Sequence, residues 1–358
     1  MELSQIGMVA AALAVALVVS FISTPVVKML AQRVGAVDVP KDNRRMHSHP
    51  IPRMGGLAIF FGFLLSTLVF VPMNDQYRGM LLGAVVIVVL GIFDDIHSLR
   101  ATFKFVVQIV AALIAVFSGN VISAISNPNI FSQNPVWELG WLAYPVTVIW
   151  IVAITNSVNL IDGLDGLACG VSTISSMTML VIALVVADLP VALLMAALAG
   201  GSIGFLPYNL NPAKIFMGDT GSTFLGYVLA VVSIQGLFKF YAIISFAVPF
   251  LMLGLPIFDT AFAFIRRIAH GQSPMHADRS HVHHRLIDMG FSQKQAVAVL
   301  YVISAILGLS AVVLATTNAL KAMLVLLALC AAGAVAARIY THNNDKKNEN
   351  SREEGEGE

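Results

Sequence analysis

Long apolar runs, broken by short polar or Gly/Pro-rich stretches, fill most of the chain. A helix needs about 20 apolar residues to cross the hydrocarbon core of a bilayer. Eleven runs meet that need, at about 5–27, 54–73, 79–94, 104–125, 139–159, 167–187, 190–207, 220–237, 241–265, 295–315 and 319–338. The pattern therefore predicts an all-α integral membrane protein with about eleven transmembrane helices. The pairs split by Asp188-Leu189-Pro190 and by Thr316-Thr317-Asn318 could each be a single re-entrant hairpin. Pro249, Gly254 and Pro256 predict a kinked or split ninth helix. Asn127-Pro128-Asn129 centres a short hairpin or irregular cap over 120–138. Ser292 and Gln295 form a capping box that opens the tenth helix. The first apolar run lacks a basic leader and a clear cleavage site, so it reads as a retained helix. A membrane domain of residues 1–342 precedes an Asn-, Lys- and Glu-rich tail, 343–358, that is expected to be disordered.

Lys and Arg set the orientation. With the N-terminus outside and the C-terminus cytoplasmic, 18 of them fall inside and 3, Arg78, Lys239 and Lys321, outside. A miscounted crossing would weaken that bias downstream, and it does not weaken. Composition agrees with the hydropathy: 58% of residues are hydrophobic and 11% charged, against about 25% charged in a soluble domain. A net charge of +1 with no basic face gives no reason to expect nucleic acid. Cys169 and Cys330 both sit in apolar runs, too few for a disulfide framework or, alone, a metal site.

The reactive polar residues fall on the inside segments. His47, His49, Arg53, Gly55 and Gly56 lie before the second helix, and Arg53 ahead of the glycine pair suits an anion. Asp94 and Asp95 end the third helix, with Lys104 and Gln108 one turn apart on the next. Adjacent carboxylates either cap a helix exit or bind Mg²⁺, and Lys104 either meets a ligand or snorkels to the interface. Asn156, Asn159, Asp162 and Asp165 recur every three residues, a spacing that keeps consecutive members on one helical face. Two amides and two carboxylates at a membrane helix end are costly unless they bind something. In GDTGS, Asp219 between glycines could hold a hard cation while free N–H groups at the helix start face phosphate. His281, His283 and His284 lack an accompanying cysteine. With Arg279 and Arg285 beside them they suit a pyrophosphate better than zinc. Asp259 lies one or two turns before Arg266 and Arg267, so a buried ion pair competes there with a catalytic role. Together these groups describe a Mg²⁺-assisted phosphoryl-transfer site.

These motifs, in this order from about residue 20 to residue 310, resemble the polyprenyl-phosphate N-acetylhexosamine-1-phosphate transferases. The resemblance rests on DD at 94–95, NxxNxxDGxDG at 156–166, FMGDTGS at 216–222 and HVHH at 281–284. It implies that Asp219 and Asn159 hold Mg²⁺, with Mn²⁺ able to substitute. It further implies that Phe216 stacks on uracil and that Asn209 and Asp165 contact the nucleotide. Asp94 would be the candidate base, Lys104 the lipid-phosphate partner, and the histidine loop would face the sugar pyrophosphate. Asp95, Asp162 and Asn156 belong to the same catalytic and binding constellation.

Within that family the chain is similar to the branch that uses UDP-GlcNAc and undecaprenyl phosphate. A sister branch makes lipid I from UDP-MurNAc-pentapeptide and usually shows a triple histidine and Thr-Pro-Thr-Met-Gly-Gly. Here Val282 interrupts the histidines, and the stretch reads Ile51-Pro52-Arg53-Met54-Gly55-Gly56. The expected partners are UDP-GlcNAc, a polyprenyl phosphate and the plasma membrane of a bacterium, with a cytoplasmic active site; a homodimer stays open. The branch implies the first membrane step of an envelope polysaccharide such as teichoic acid or O-antigen. A transporter is the rival of another class, but transporters favour midplane sites and repeated halves.

Overall fold

A computed structural model describes residues 2–39, 49–126, 136–236, 244–269 and 281–316. Residues Met1–Ala315 form one compact unit. The eleventh expected helix, the expected disordered tail and His47 lie outside the described residues.

The described residues of the unit are mainly helical. In chain order its helices are α1 (Leu3–Val34), α2 (Gly56–Phe70), α3 (Asp75–His97), α4 (Ala101–Phe117), α5 (Ala143–Leu160) and α6 (Leu167–Val185). There follow α7 (Leu189–Asn209), α8 (Gly218–Gly236), α9 (Ile244–Met252), α10 (Gly254–Ala269), α11 (Val282–Asp288) and α12 (Gln293–Thr316). Two antiparallel ribbons complete it: β1 (Val37–Asp38) with β2 (Ile51–Pro52), and β3 (Ala124–Ser126) with β4 (Val136–Glu138). Among the described residues, six helices are long and apolar enough to cross a membrane: α1, α3, α5 with the turn before it, α6, α7 and α12. α2 and α4 are shorter apolar helices.

Helix α8 is the axis of the bundle. Every residue from Gly218 to Gly236 except Asp219 is buried, and α2, α3, α5, α6 and α7 all touch it. The outer helices are apolar on both sides. Leu3, Ile6, Val18, Phe21 and Ile22 of α1 are exposed, as expected of helices solvated by lipid. Without a hydrophobic difference between lipid and neighbour, such helices associate through close contact of small residues. Accordingly α1 meets α7 where a Cβ at Gly200 or Gly204 would strike the backbone oxygens of Leu13 and Leu17.

Several local expectations are met. α6 and α7 are separate helices of 19 and 21 residues, each long and apolar enough to cross a membrane. Asp188 caps α7 by accepting from the Val191 amide at 3.2 Å. The ninth apolar run is split at Leu253, between α9 and α10. β3 and β4 form the hairpin over 120–138, of which 127–135 lie outside the described residues. The capping box is present: Ser292 N–H donates to Gln295 Oε1 at 2.9 Å, and Gln295 N–H donates to Ser292 Oγ at 3.4 Å.

One expectation is corrected. The row Asn156, Asn159, Asp162, Asp165 does not continue as a single helical face, because α5 ends at Leu160. Gly166, in the left-handed region at φ 77°, closes the turn and opens α6. Asp162 and Asp165 are therefore presented by turns.

Candidate active site

The C-terminal ends of α3 and α5, the start of α4, the β1–β2 ribbon and the N-terminus of α8 converge. Asp95 ties them together. Its Oδ1 accepts the Asp219 amide at 3.0 Å, and its Oδ2 accepts the Thr220 amide at 3.1 Å and the Thr220 hydroxyl at 2.7 Å. Arg53 Nε lies 3.5 Å from the same carboxylate, whose side chain is 0% exposed. Helix N-termini leave amides without intrahelical partners, and a carboxylate there is favoured by the helix dipole. Asp95 fills that role from another helix. This corrects the expectation that free amides at the start of α8 face phosphate: those of Asp219 and Thr220 are already engaged.

Asp219 itself turns outward. Lys104 Nζ donates to Asp219 Oδ2 and to Asp94 Oδ2, each at 2.8 Å. Asn159 Nδ2 reaches Asp219 Oδ1 at 3.2 Å and Ser222 Oγ at 2.7 Å. Asp94 Oδ1 also accepts the Leu99 amide at 2.7 Å, which fixes the turn after α3. Behind this cluster Gln108 Oε1 accepts from Asn156 Nδ2 at 2.6 Å. Gly56 of α2 and Gly91 of α3 let both helices press on α8 here; a Cβ on Gly56 would overlap the backbone of Thr220 and Gly221, and one on Gly91 that of Asp219 and Thr220.

The cluster opens into a cavity of about 500 Å³. Of the expected site residues, Arg53, Asn159, Asp162, Asp165, Asn209, Phe216, Asp219 and His284 line it. Asp94, Lys104 and Asn156 line a small adjoining space with Asn159 and Asp219. Burial and the neighbouring Asp219 push the Asp162 carboxyl up to about 8. Burial opposes the charge of Arg53, but Asp95, Asp219, Asp38 and Asp162 outweigh it and raise its pKa.

The far side of the cavity is a hydrogen-bonded shelf. Asp165 Oδ2 accepts from Asn211 Nδ2 at 2.9 Å and from the Ala213 amide at 3.0 Å. Asn211 also donates to Gln293 Oε1 at 2.7 Å, joining α12 to the site. Asn209 donates to the Ile215 carbonyl at 3.1 Å, while its buried Oδ1 has no hydrogen-bond partner among the described residues. Phe216 is held by two backbone bonds, from its own amide to Pro52 O at 2.8 Å and from the Gly55 amide to its carbonyl at 2.9 Å.

The histidine motif divides. His284 lines the cavity, whereas His281 is buried against Asp259, with Nδ1 2.9 Å from Asp259 Oδ2. His283 is buried beside Gly163. Arg285 is exposed and places its guanidinium 5.2 Å from the centre of the Phe262 ring, and it does not line the cavity. Sequence reasoning missed Asn211, Gln293 and Asp38 as lining residues. Asn211 lies two residues after Asn209, which the sequence had singled out, but Gln293 and Asp38 carried no local signal.

The described residues contain no cluster of three or more His, Cys, Asp or Glu side chains able to hold a metal. Mg²⁺ needs no such cage, because it is commonly bound by one or two carboxylates together with substrate phosphates and water. Asp219 with the amide oxygen of Asn159 fits that donor set. The side-chain oxygen and nitrogen of an asparagine are interchangeable by a flip.

The chain was also compared with known proteins. Residues 77–237 match glycosyl transferase family 4. A probable undecaprenyl-phosphate N-acetylglucosaminyl 1-phosphate transferase of Bacillus subtilis is 42% identical, covering 93% of this chain and 92% of its own. Decaprenyl-phosphate N-acetylglucosaminephosphotransferase of Mycobacterium tuberculosis is 34% identical over 84% of this chain and 79% of its own. More distantly, a phospho-N-acetylmuramoyl-pentapeptide-transferase of Staphylococcus aureus is 29% identical over 82% of this chain and 95% of its own. This chain belongs to glycosyl transferase family 4, as a polyprenyl-phosphate N-acetylhexosamine-1-phosphate transferase.

Proposed function

We propose that this protein transfers N-acetylglucosamine 1-phosphate from UDP-GlcNAc to undecaprenyl phosphate or a related polyprenyl phosphate, releasing UMP. The observation that carries the reading is the junction of Asp219, Asn159, Lys104 and Asp94 at the floor of a polar cavity. An oxygen of the lipid phosphate attacks the sugar-bearing β-phosphorus of UDP-GlcNAc. The bond from that phosphorus to the oxygen bridging to the α-phosphate breaks, and UMP departs. Lys104 gives the incoming phosphate a charge-assisted donor, and Asp94 accepts any proton the nucleophile still carries. A phosphate monoester has its second pKa near 6, so positioning matters more than base strength. Arg53 balances charge on the pyrophosphate side. Phe216 offers a ring face to uracil, and the open acceptor Asn209 Oδ1 suits an N–H of the base. Mg²⁺, for which Mn²⁺ can stand in, would be held by Asp219 and Asn159 and would neutralise pyrophosphate charge.

The site faces the cytoplasm of a bacterial plasma membrane, with the N-terminus outside and eleven crossings, a topology supported by the inside excess of Lys and Arg. The step begins an envelope polysaccharide such as a teichoic acid or O-antigen. The deciding assay follows UMP release with undecaprenyl phosphate and Mg²⁺ under matched conditions. UDP-GlcNAc should be turned over and UDP-MurNAc-pentapeptide scarcely at all. Preference for the pentapeptide substrate would move the protein to the lipid I branch.

A further inference from the structure

We infer that Asp259 is a positioning residue for the nucleotide-sugar side of the site, acting by anchoring the short helix α11 so that His283 packs behind the cavity wall at Gly163 and His284 lines the catalytic cavity. The inference rests on the transferase reading above. Asp259 lies on α10 and is 4% exposed, with both carboxylate oxygens engaged. Oδ2 lies 2.9 Å from His281 Nδ1, and Oδ1 accepts the Val282 amide at 2.8 Å. His281 is the N-cap residue of α11, but its side chain makes no capping bond to its own helix. Asp259 supplies that acceptor from a different helix. A carboxylate with two donors specifies both the start of α11 and its rotation.

The anchor sets the placement of the next residues along α11. The ring of His283 stacks on the ring of His281, with centroids 5.7 Å apart and planes 6° from parallel. The edge of His283 rests on Gly163, where a Cβ would overlap its Nε2. Gly163 separates Asp162 from Leu164 and Asp165 in the wall of the cavity, so His283 docks the histidine motif onto the row of acceptors. Burial and the nearby His284 hold His283 down to about 4. It is therefore neutral at pH 7 and is placed by packing, not charge. His284, whose ring centre is 4.2 Å from that of His283, is the motif's contribution to the cavity. Asp259 reaches none of the cavity-lining positions itself. Its effect on substrate passes through His281 and Val282.

The test uses the full-length protein and the variants Asp259→Ala, Asp259→Asn, His281→Ala and the double variant Asp259→Ala/His281→Ala. UDP-GlcNAc and undecaprenyl phosphate are varied separately, and UDP-GlcNAc binding is read independently by thermal shift. Asp259→Ala should raise KM for UDP-GlcNAc about 10-fold, and the double variant should be no worse than the worse single, because interacting residues are non-additive. KM for the lipid should stay within about twofold, since a loss of one substrate's binding appears in that KM alone. Asp259→Asn keeps the shape and one acceptor oxygen and should fall between Ala and the parent, which guards against misfolding of the Ala variant. Multiplying effects in the double variant, equal changes in both KM values, or no change at all would overturn the assignment. If the parent binds UDP-GlcNAc but releases no UMP, the transferase reading falls. Loss of binding in Asp259→Ala would then still support the anchor, and retained binding would reject it. A parent that neither binds nor turns over UDP-GlcNAc would overturn both.

Discussion

The floor and the rim of the cavity are built differently. The floor, around Asp94, Asp95, Lys104 and Asp219, hangs on the ends of long helices joined by direct side-chain bonds, and Asp95 locks two of those helices together. The rim, formed by Asp165, Asn209, Asn211, Phe216 and His284, sits on turns, the last residue of α7 and a seven-residue helix. Its order comes from backbone contacts and borrowed acceptors such as Asp259. A phosphoryl transfer centre needs charges fixed before the reaction, which long helices provide. Recognition of a base and a sugar needs shape and hydrogen bonds that a chain of turns can supply and vary. Within the floor, two residues that look alike in sequence, Asp94 and Asp95, play different parts. One lines a space beside Asp219, and the other is spent on structure.

Substitutions should separate the two regions. The largest loss is expected at Asp219→Asn, which removes the charge at the centre of the floor. Turnover should fall by about 10³-fold or more, on the scale of losing a principal electrostatic group, with the melting temperature nearly unchanged in a detergent thermal scan. Asp95→Ala should lose both properties. It leaves two buried amides and a hydroxyl without their acceptor, at about 1–3 kcal/mol for each unsatisfied group, so the same scan should show a clear drop alongside reduced UMP release. Lys104→Ala should raise KM for polyprenyl phosphate about 10-fold and KM for UDP-GlcNAc much less, because a hydrogen bond to a charged group contributes about 1.5–3 kcal/mol. Initial rates with each substrate varied in turn check this, and equal changes would erase the boundary drawn here.

The smallest effect concerns pH. The raised pKa of Asp162, to about 8, means that the folded protein keeps a proton that the unfolded chain gives up near 4. Stability should therefore decline as pH rises from about 4 to about 8 in metal-free protein. Asp162→Asn removes that slope, so its advantage in melting temperature should be larger at pH 8 than at pH 5. A constant advantage would place the Asp162 charge outside the acidic cluster.

Much of this was legible in the sequence, for physical reasons that differ by element. Apolar length located most of the described helices, since lipid permits few alternatives to a saturated backbone. Pro249, Gly254 and Pro256 marked the split between α9 and α10, because proline cannot complete the helical ladder. Charge and spacing identified Asp94, Lys104, Asn159 and Asp219. Spacing misled at Asp162 and Asp165, where three-residue periodicity suggested a helix that in fact stops at Leu160. The engaged amides at the start of α8 were illegible, because Asp95 comes from 124 positions earlier in the chain. The partner of Asp259 was equally hidden: the sequence offered Arg266 and Arg267 nearby, and the fold brought His281 from 22 positions away.

The central claim is that the bond broken lies between the two phosphorus atoms of the nucleotide sugar. Purified protein given UDP-GlcNAc labelled with ³²P at the β-phosphate, with undecaprenyl phosphate and Mg²⁺, tests it most directly. Label should pass into the lipid in step with the appearance of unlabelled UMP. Label retained in UDP while the sugar moved to the lipid would contradict the account.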